Sequence, residues 1–161
     1  MRYVLKKGST SNAIFLEARD PERNETPVAG LLAGSDGAYA VFVRAGEPGV
    51  RRFPLTVGTL GSYEPGGFVE VDPSLMPGVY ALGLPDMVLA PGADSVVVQL
   101  GFTGARIRPI EISLVAYDPQ DAQRLGMSAL GPEGRIAALR GAFPRLTARE
   151  LVEVRDADDT P

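Results

Sequence analysis

Residues 66–100 are GGFVEVDPSLMPGVYALGLPDMVLAPGADSVVVQL, and this stretch shows most clearly that the chain is built from strands. Runs of apolar, β-branched and aromatic residues alternate in it with breaks at Pro73, Pro77, Pro85 and Pro91. Proline has no N–H for a strand ladder, and Asp-Pro and Pro-Gly pairs are typical of turns. The stretch therefore predicts three strands joined by short connections, with one helical turn over MVLA before the third strand.

Alternation assigns the side chains of each run to one of two sheet faces, because successive residues of a strand point in opposite directions. Tyr80, Leu82 and Leu84 fall on one face of the second run, and the Pro77–Gly78 pair is predicted to be the turn before it. The same rule predicts two further half-buried strands. Their buried sets are Val96, Val98, Leu100 and Phe102 in one strand, and Ile110, Ile112 and Leu114 in the other.

The rest of the first 117 residues adds strands of the same kind. AYAVFVR, residues 38–44, is apolar on both faces and predicts a central strand that is covered on both sides. Pro54 inside RRFPLTV restricts that segment to an edge strand or a bulge. With NAIFLEAR, and with RYVLK or PVAGLL as a further partner, the set comes to about seven strands separated by turns. This pattern predicts a mostly β chain that folds as an antiparallel β-sandwich.

The pattern changes after Tyr117, where an Asp-Pro helix-start signal is followed by two weaker helical patterns, GRIAALRG and TARELVEV. The predicted domains are a β-sandwich over residues 1–117, a short helical extension over 118–155 and a disordered acidic tail over 156–161. Marginal helices gain stability when their apolar side chains are buried against a partner. The extension therefore predicts an assembly interface at Leu125, Leu130, Ile136, Leu139, Leu146 and Leu151.

Composition excludes several classes of function. The 161 residues carry a formal net charge of -4, which argues against nucleic-acid binding, since phosphate contacts need clustered cations. Without histidine or cysteine the chain has no Ser-His-Asp triad, thiolate metal site or disulfide. No run approaches the roughly 20 apolar residues of a membrane span, and no signal-peptide pattern is present, so neither a membrane partner nor signal-directed export is expected. The predominance of arginine among the cations fits either a thermophilic host or a GC-rich genome.

Three groups of residues are candidates for chemistry, and each has a structural alternative. Glu70 and Asp72 share a strand face and could act as a hydrolytic carboxylate pair, but a solvated strand face is favoured. The acidic residues of EARDPERNETP, residues 17–27, could bind calcium, but they lack the spacing of a calcium loop and are interleaved with arginines. Phe53 and Tyr63 are a candidate glycan-stacking platform, although core or edge packing is favoured. No catalytic, cofactor or metal site is predicted.

Two stretches, GGFVEVDPSLMPGVYALGLPDMVLAPGADSVVVQL and IEISLVAYDPQDAQRLGMSAL, together resemble a β-module of tail-fibre, baseplate and other virion-associated proteins of tailed bacteriophages and prophages. The opening KGSTSNAIFLEARDPERNETPVAGL is also similar to the start of that module. The resemblance covers Lys7 to Leu130. The layout is similar, more weakly, to the immunoglobulin-like N-terminal domain of baseplate upper proteins.

The resemblance implies an immunoglobulin-like β-sandwich and a bacteriophage virion structural protein, either a tail or baseplate adaptor or a capsid decoration protein. It implies that the chain is made in the host cytoplasm and is located in the virion. It also implies contacts with other virion proteins and with copies of itself, for instance in a trimer, and it supplies no catalytic residues. A carbohydrate-binding module at a host cell surface is the alternative function, with Phe53 and Tyr63 as its platform.

Overall fold

Strands form most of the regular structure in residues 2–117, which are the part of the chain that the computed structural model describes. The strands are β1 (Arg2–Lys6), β2 (Ala13–Asp20), β3 (Thr26–Pro27), β4 (Tyr39–Arg44), β5 (Arg51–Phe53), β6 (Thr56–Val57), β7 (Gly67–Asp72), β8 (Met76–Gly83), β9 (Ser95–Gly101), β10 (Arg106–Ile107) and β11 (Ile110–Val115). A single 3-10 turn, Asp86–Val88, lies where the sequence predicts a helical turn. In this region seven strands have five or more residues, namely β1, β2, β4, β7, β8, β9 and β11.

The strands form two sheets, as expected for a sandwich. The first sheet has the order β1-β11-β9-β4-β5, and the second has the order β10-β2-β8-β7-β6, with β3 paired to β2. Most neighbouring strands are antiparallel, but β1 pairs with β11 and β6 pairs with β7 in the parallel sense. Both parallel pairs lie at sheet edges. The prediction of a purely antiparallel sandwich was therefore wrong at these two edges.

Apolar side chains from both sheets form one core. Alternation is confirmed in β9, β11 and β8, because every residue that it assigned to their buried faces is buried. The other large core side chains include Leu5, Ile14, Leu16, Phe42, Phe53, Phe68, Val88, Leu89 and Ile107. Burial of such side chains stabilises the fold by roughly 25 cal/mol per Å² of apolar surface.

β4 differs from its prediction on one face. It lies between β9 and β5, but Tyr39 is 42% exposed and Val43 is 37% exposed. The expectation of a strand covered on both sides was wrong, because β-branched and aromatic residues suit a strand whether or not its outer face is covered. The ring of Tyr39 lies over Gly101 of β9, where an added Cβ would collide with it.

The predictions for Pro54 and for the Pro77–Gly78 pair have different outcomes. Pro54 follows β5 at the edge of the first sheet and precedes β6 at the edge of the second, so the edge assignment is confirmed. The Pro77–Gly78 pair is not a turn, because it lies inside β8, and the chain reverses instead at residues 73–75. Gly78 has a φ of 76°, and its N–H donates to Glu70 Oε1 at 3.1 Å, so the pair makes an irregular start of the strand.

Of the two segments predicted as a further strand partner, one forms a strand along its whole length and the other does not. RYVLK forms β1, whereas only Pro27 of PVAGLL belongs to a strand. The helical extension, its six proposed interface residues and the acidic tail lie outside the described residues. Among residues 2–117 no helix is long and apolar enough to cross a membrane.

Candidate functional site

The carboxylates of β7 are engaged with backbone amides. Glu70 accepts hydrogen bonds from the N–H groups of Gly30 at 2.8 Å and Gly78 at 3.1 Å. Asp72 Oδ1 accepts from two amides of the following turn, at 2.8 and 2.7 Å. Glu70 lies opposite buried Tyr80, so it faces the core side of the sheet and is only half-exposed. The solvated strand face that the sequence favoured was wrong for Glu70, and the geometry gives both carboxylates structural roles.

Tyr80 completes this structural cluster. Its hydroxyl donates to the Val28 carbonyl oxygen at 2.7 Å and accepts from the Leu31 N–H at 3.0 Å. Its ring stacks on Phe68 with centroids 4.7 Å apart. Burial raises the pKa of Tyr80 above its ordinary value and the charge of Glu70 raises it further, while the hydrogen bond from Leu31 opposes the shift. Tyr80 and Glu70 together hold the chain of residues 28–31 against the sandwich.

The acidic segment 17–27 is compensated by arginines and does not form a metal site. The side chain of Glu17 pairs with Arg19, and that of Glu25 pairs with Arg106 at 3.5 Å. The same residues line a cleft of about 490 Å³ that also contains Arg108. Across residues 2–117 no group of three or more acidic side chains is placed to hold a metal ion. This result includes the four candidate calcium ligands of the segment, Glu17, Asp20, Glu22 and Glu25.

The proposed glycan platform is not assembled. Phe53 is buried, with its ring centroid 6.2 Å from that of Phe42, so it cannot offer a face to a sugar. Tyr63 is half-buried, and its hydroxyl lies 2.9 Å from the Leu84 carbonyl oxygen and 3.3 Å from Asp86 Oδ1. Burial raises the pKa of Tyr63, and the charge of Asp86 adds to the shift.

Tyr63 instead lines a groove of about 290 Å³ on the outer face of the second sheet. Its floor contains the cross-strand row Phe15, Ala81 and Val69, which spans β2, β8 and β7. Its wall is the loop of residues 58–64 between β6 and β7. Phe15 on the floor and Leu60 on the wall are each 50% exposed. The groove is therefore mainly apolar, and it is open to a partner.

The wall of the groove is held close to the sheet by backbone contacts. The Gly58 N–H donates to the Phe68 carbonyl at 3.2 Å, and the Gly66 N–H donates to the Gly83 carbonyl at 2.8 Å. A Cβ at Gly83 would collide with the carbonyl oxygen of Glu64, so only glycine lets the wall approach this closely. The groove is thus a preformed feature of the fold.

The first sheet also exposes an apolar outer surface, the valine face, which consists of Tyr39, Val41, Val43 and Val97. These residues lie on neighbouring strands β4 and β9, where Val43 is directly opposite Val97. Arg52 of β5 lies opposite Val41 and borders the face. Both outer surfaces of the described sandwich therefore offer apolar side chains bordered by polar ones.

Sequence reasoning overlooked Phe15. The alternation in NAIFLEAR does carry the signal, because Ile14 and Leu16 are buried while Phe15 lies on the opposite face. That the ring contributes to a groove follows only from the pairing of β2 with β8. No family model matches the chain, and comparisons with curated proteins and with solved structures likewise find no match.

Proposed function

We propose that this chain is a structural protein of tailed-bacteriophage virions, acting as a tail or baseplate adaptor or as a capsid decoration protein. It works through protein–protein contacts and carries out no catalysis. The resemblance over Lys7 to Leu130 supports the virion assignment. The geometric observation that carries the proposal is the presence of exposed apolar side chains on the outer surfaces of both sheets.

Those two surfaces favour assembly because apolar area that is exposed on an isolated chain is stabilised when a partner covers it. Phe15 and Leu60 would be covered on the second sheet, and Tyr39 and Val43 on the first. The candidate hydrolytic carboxylates Glu70 and Asp72, by contrast, accept hydrogen bonds from backbone amides, and Glu17 pairs with Arg19. The side chains therefore support a contact function better than a hydrolytic one.

We base further features of this function on the same resemblance and, for residues 118–155, on the helical sequence patterns. The sandwich is of the immunoglobulin-like class, and residues 118–155 form a helical extension that makes further contacts between subunits. The chain forms a homo-oligomer, for instance a trimer, and binds other virion proteins. It is made in the host cytoplasm and becomes part of the virion.

Immunogold electron microscopy of purified virions tests this proposal and separates its two forms. An antibody against the chain should label the tail end if it is an adaptor, or the whole capsid surface if it is a decoration protein. Intact and partly disrupted particles should both be examined, because neighbouring proteins can cover the epitope. Virions that remain unlabelled in both states would contradict the proposal.

Carbohydrate binding remains a second candidate function because Tyr63 and exposed Phe15 both line the groove. Aromatic faces and a nearby carboxylate suit a sugar ring. Host polysaccharide binding should then be lost in Phe15→Ala and retained in Leu75→Ala, since Leu75 is exposed and does not line the groove. A glycan array without any signal for the unaltered chain would exclude this candidate.

A further inference from the structure

The geometry points to a head-to-tail contact between copies of this chain, in which the valine face of one copy covers the groove of the next. This inference rests on the proposed assembly function and assigns it to particular surfaces. It adds to the contacts proposed for residues 118–155, because it uses only the sandwich.

Both surfaces present apolar side chains from neighbouring strands. The groove presents Phe15, Ala81 and Val69 side by side on three neighbouring strands. The valine face presents Val43 beside Val97 in the same manner on two strands. A side chain from the valine face can enter the groove between its floor and the wall loop, and the apolar surface of both copies then leaves water.

The borders of the two surfaces carry charges of opposite sign. Arg52 of β5 borders the valine face, where it lies opposite Val41. Glu64 lines the groove on its wall. Neither Arg52 nor Glu64 makes an ion pair within residues 2–117.

Charge also favours the head-to-tail arrangement over contact between two identical surfaces. Two valine faces would bring their Arg52 guanidinium groups together, and two grooves would bring their Glu64 carboxylates together. Like charges across an interface are unfavourable. A head-to-tail contact places Arg52 near Glu64. Such a contact leaves one surface of each kind free at the ends, so it produces a ring when it closes and a filament when it does not.

The size of the surfaces predicts a weak contact for the chain in isolation. Five strands about 4.8 Å apart, with about six residues at roughly 3.3 Å each, give a sheet face of about 20 by 20 Å. Stable interfaces bury about 800 Å² on each partner, and a face of about 400 Å² in outline is smaller than that. Association should therefore depend on concentration in solution and be strengthened by neighbouring proteins in a particle.

A charge-reversal experiment on the full chain tests the contact. Sedimentation velocity over a range of concentrations should show that Arg52→Glu and Glu64→Arg each weaken association by about tenfold or more, because each places like charges together. The double variant should recover most of the association. Arg108→Glu is the matched control, since Arg108 is exposed and borders neither surface. A double variant no better than the single ones, or singles that behave like the control, would overturn the inference.

A mixing experiment provides a second test that does not depend on charge pairing. Val43→Glu blocks the valine face, and Ala81→Arg fills the groove, while circular dichroism verifies that each variant is folded. Each variant alone should be unable to form this contact. An equimolar mixture should form a dimer, because the groove of the Val43→Glu variant and the valine face of the Ala81→Arg variant are both intact. A mixture no more associated than its components would contradict the contact. If the mixing experiment fails, the proposed virion function still stands as long as the chain is found in particles. Absence of the chain from particles, in turn, would not change the result of the mixing experiment.

Discussion

Tyr80→Phe is the substitution that most directly tests how the loop of residues 28–31 is fixed. The tyrosine hydroxyl serves two backbone groups at once, the carbonyl of Val28 and the N–H of Leu31. Phenylalanine keeps the ring and its stacking on Phe68 but removes both hydrogen bonds. A change in the free energy of unfolding therefore reports the loss of the hydrogen bonds and not a change in the packing of the core.

The expected cost follows from the number of bonds lost. Each intramolecular hydrogen bond contributes about 0.5–1.5 kcal/mol net, and a partly buried group left without a partner adds to the cost. Two bonds give a decrease of about 2 kcal/mol in the free energy of unfolding. For a chain of this length that decrease lowers Tm by roughly 4–8 °C. Glu70, which binds the Gly30 N–H at 2.8 Å, should keep the loop from detaching completely.

Urea unfolding followed by circular dichroism measures this change, with Tyr39→Phe as the matched control. Tyr39 is partly exposed, and its hydroxyl makes no hydrogen bond among residues 2–117, so its loss should change stability by less than about 0.5 kcal/mol. Equal effects of the two substitutions would contradict the role of the Tyr80 hydroxyl. So would a Tyr80→Phe variant as stable as the unaltered chain.

Because burial raises the pKa of Tyr80 in the folded state, the unfolded chain loses this proton first as the pH rises through 10.0. The free energy of unfolding should therefore fall above that pH, and urea titrations on both sides of it should show a smaller fall for Tyr80→Phe. Gly83→Ala should cost about 1–3 kcal/mol by thermal unfolding, since its Cβ meets the carbonyl of the groove wall, whereas Gly34→Ala, with open space around it, should not. Arg44 is 5% exposed and binds two carbonyls and Glu47, so Arg44→Met should lower the unfolding free energy by about 3 kcal/mol, and a change below about 1 kcal/mol would count against this role. Truncation after Tyr117 should leave a folded sandwich by circular dichroism and weaken assembly by light scattering, and unchanged assembly would contradict the role proposed for the extension.

The core of the sandwich was predictable wherever apolar and polar residues alternate clearly. In β9, Val96 and Val98 are buried while Ser95 and Gln99 are not, and the sequence shows this directly. The same holds for β11. A side-chain period of two fixes the face of each residue without any knowledge of neighbouring strands.

The residues of β7 alone do not show which of its side chains point toward the core. Phe68 and Val69 are both apolar, so either could have belonged to the core side. Pairing with β8 decides the question, since Phe68 lies opposite buried Leu82 and Glu70 lies opposite Tyr80. Burial of Phe53 likewise depends on Phe42, which belongs to a different strand.

The groove depends on strand order, which local patterns do not contain. Phe15 and Tyr63 lie far apart in the sequence and meet only because β2, β8 and β7 are neighbours and the loop of residues 58–64 folds over them. Gly83 permits that approach, yet in the sequence it is one of 19 glycines with no special context. Contact surfaces of this kind are formed by topology, so alternation alone indicates their residues but not their grouping.

Quantitative mass spectrometry of purified virions tests whether this chain is a virion protein. The particles are purified from cells that carry this gene, through density gradients that remove soluble host proteins. Peptides of this chain should co-purify with the known virion proteins at a constant number of copies per particle. Particles that are complete and infectious but lack the chain would contradict it.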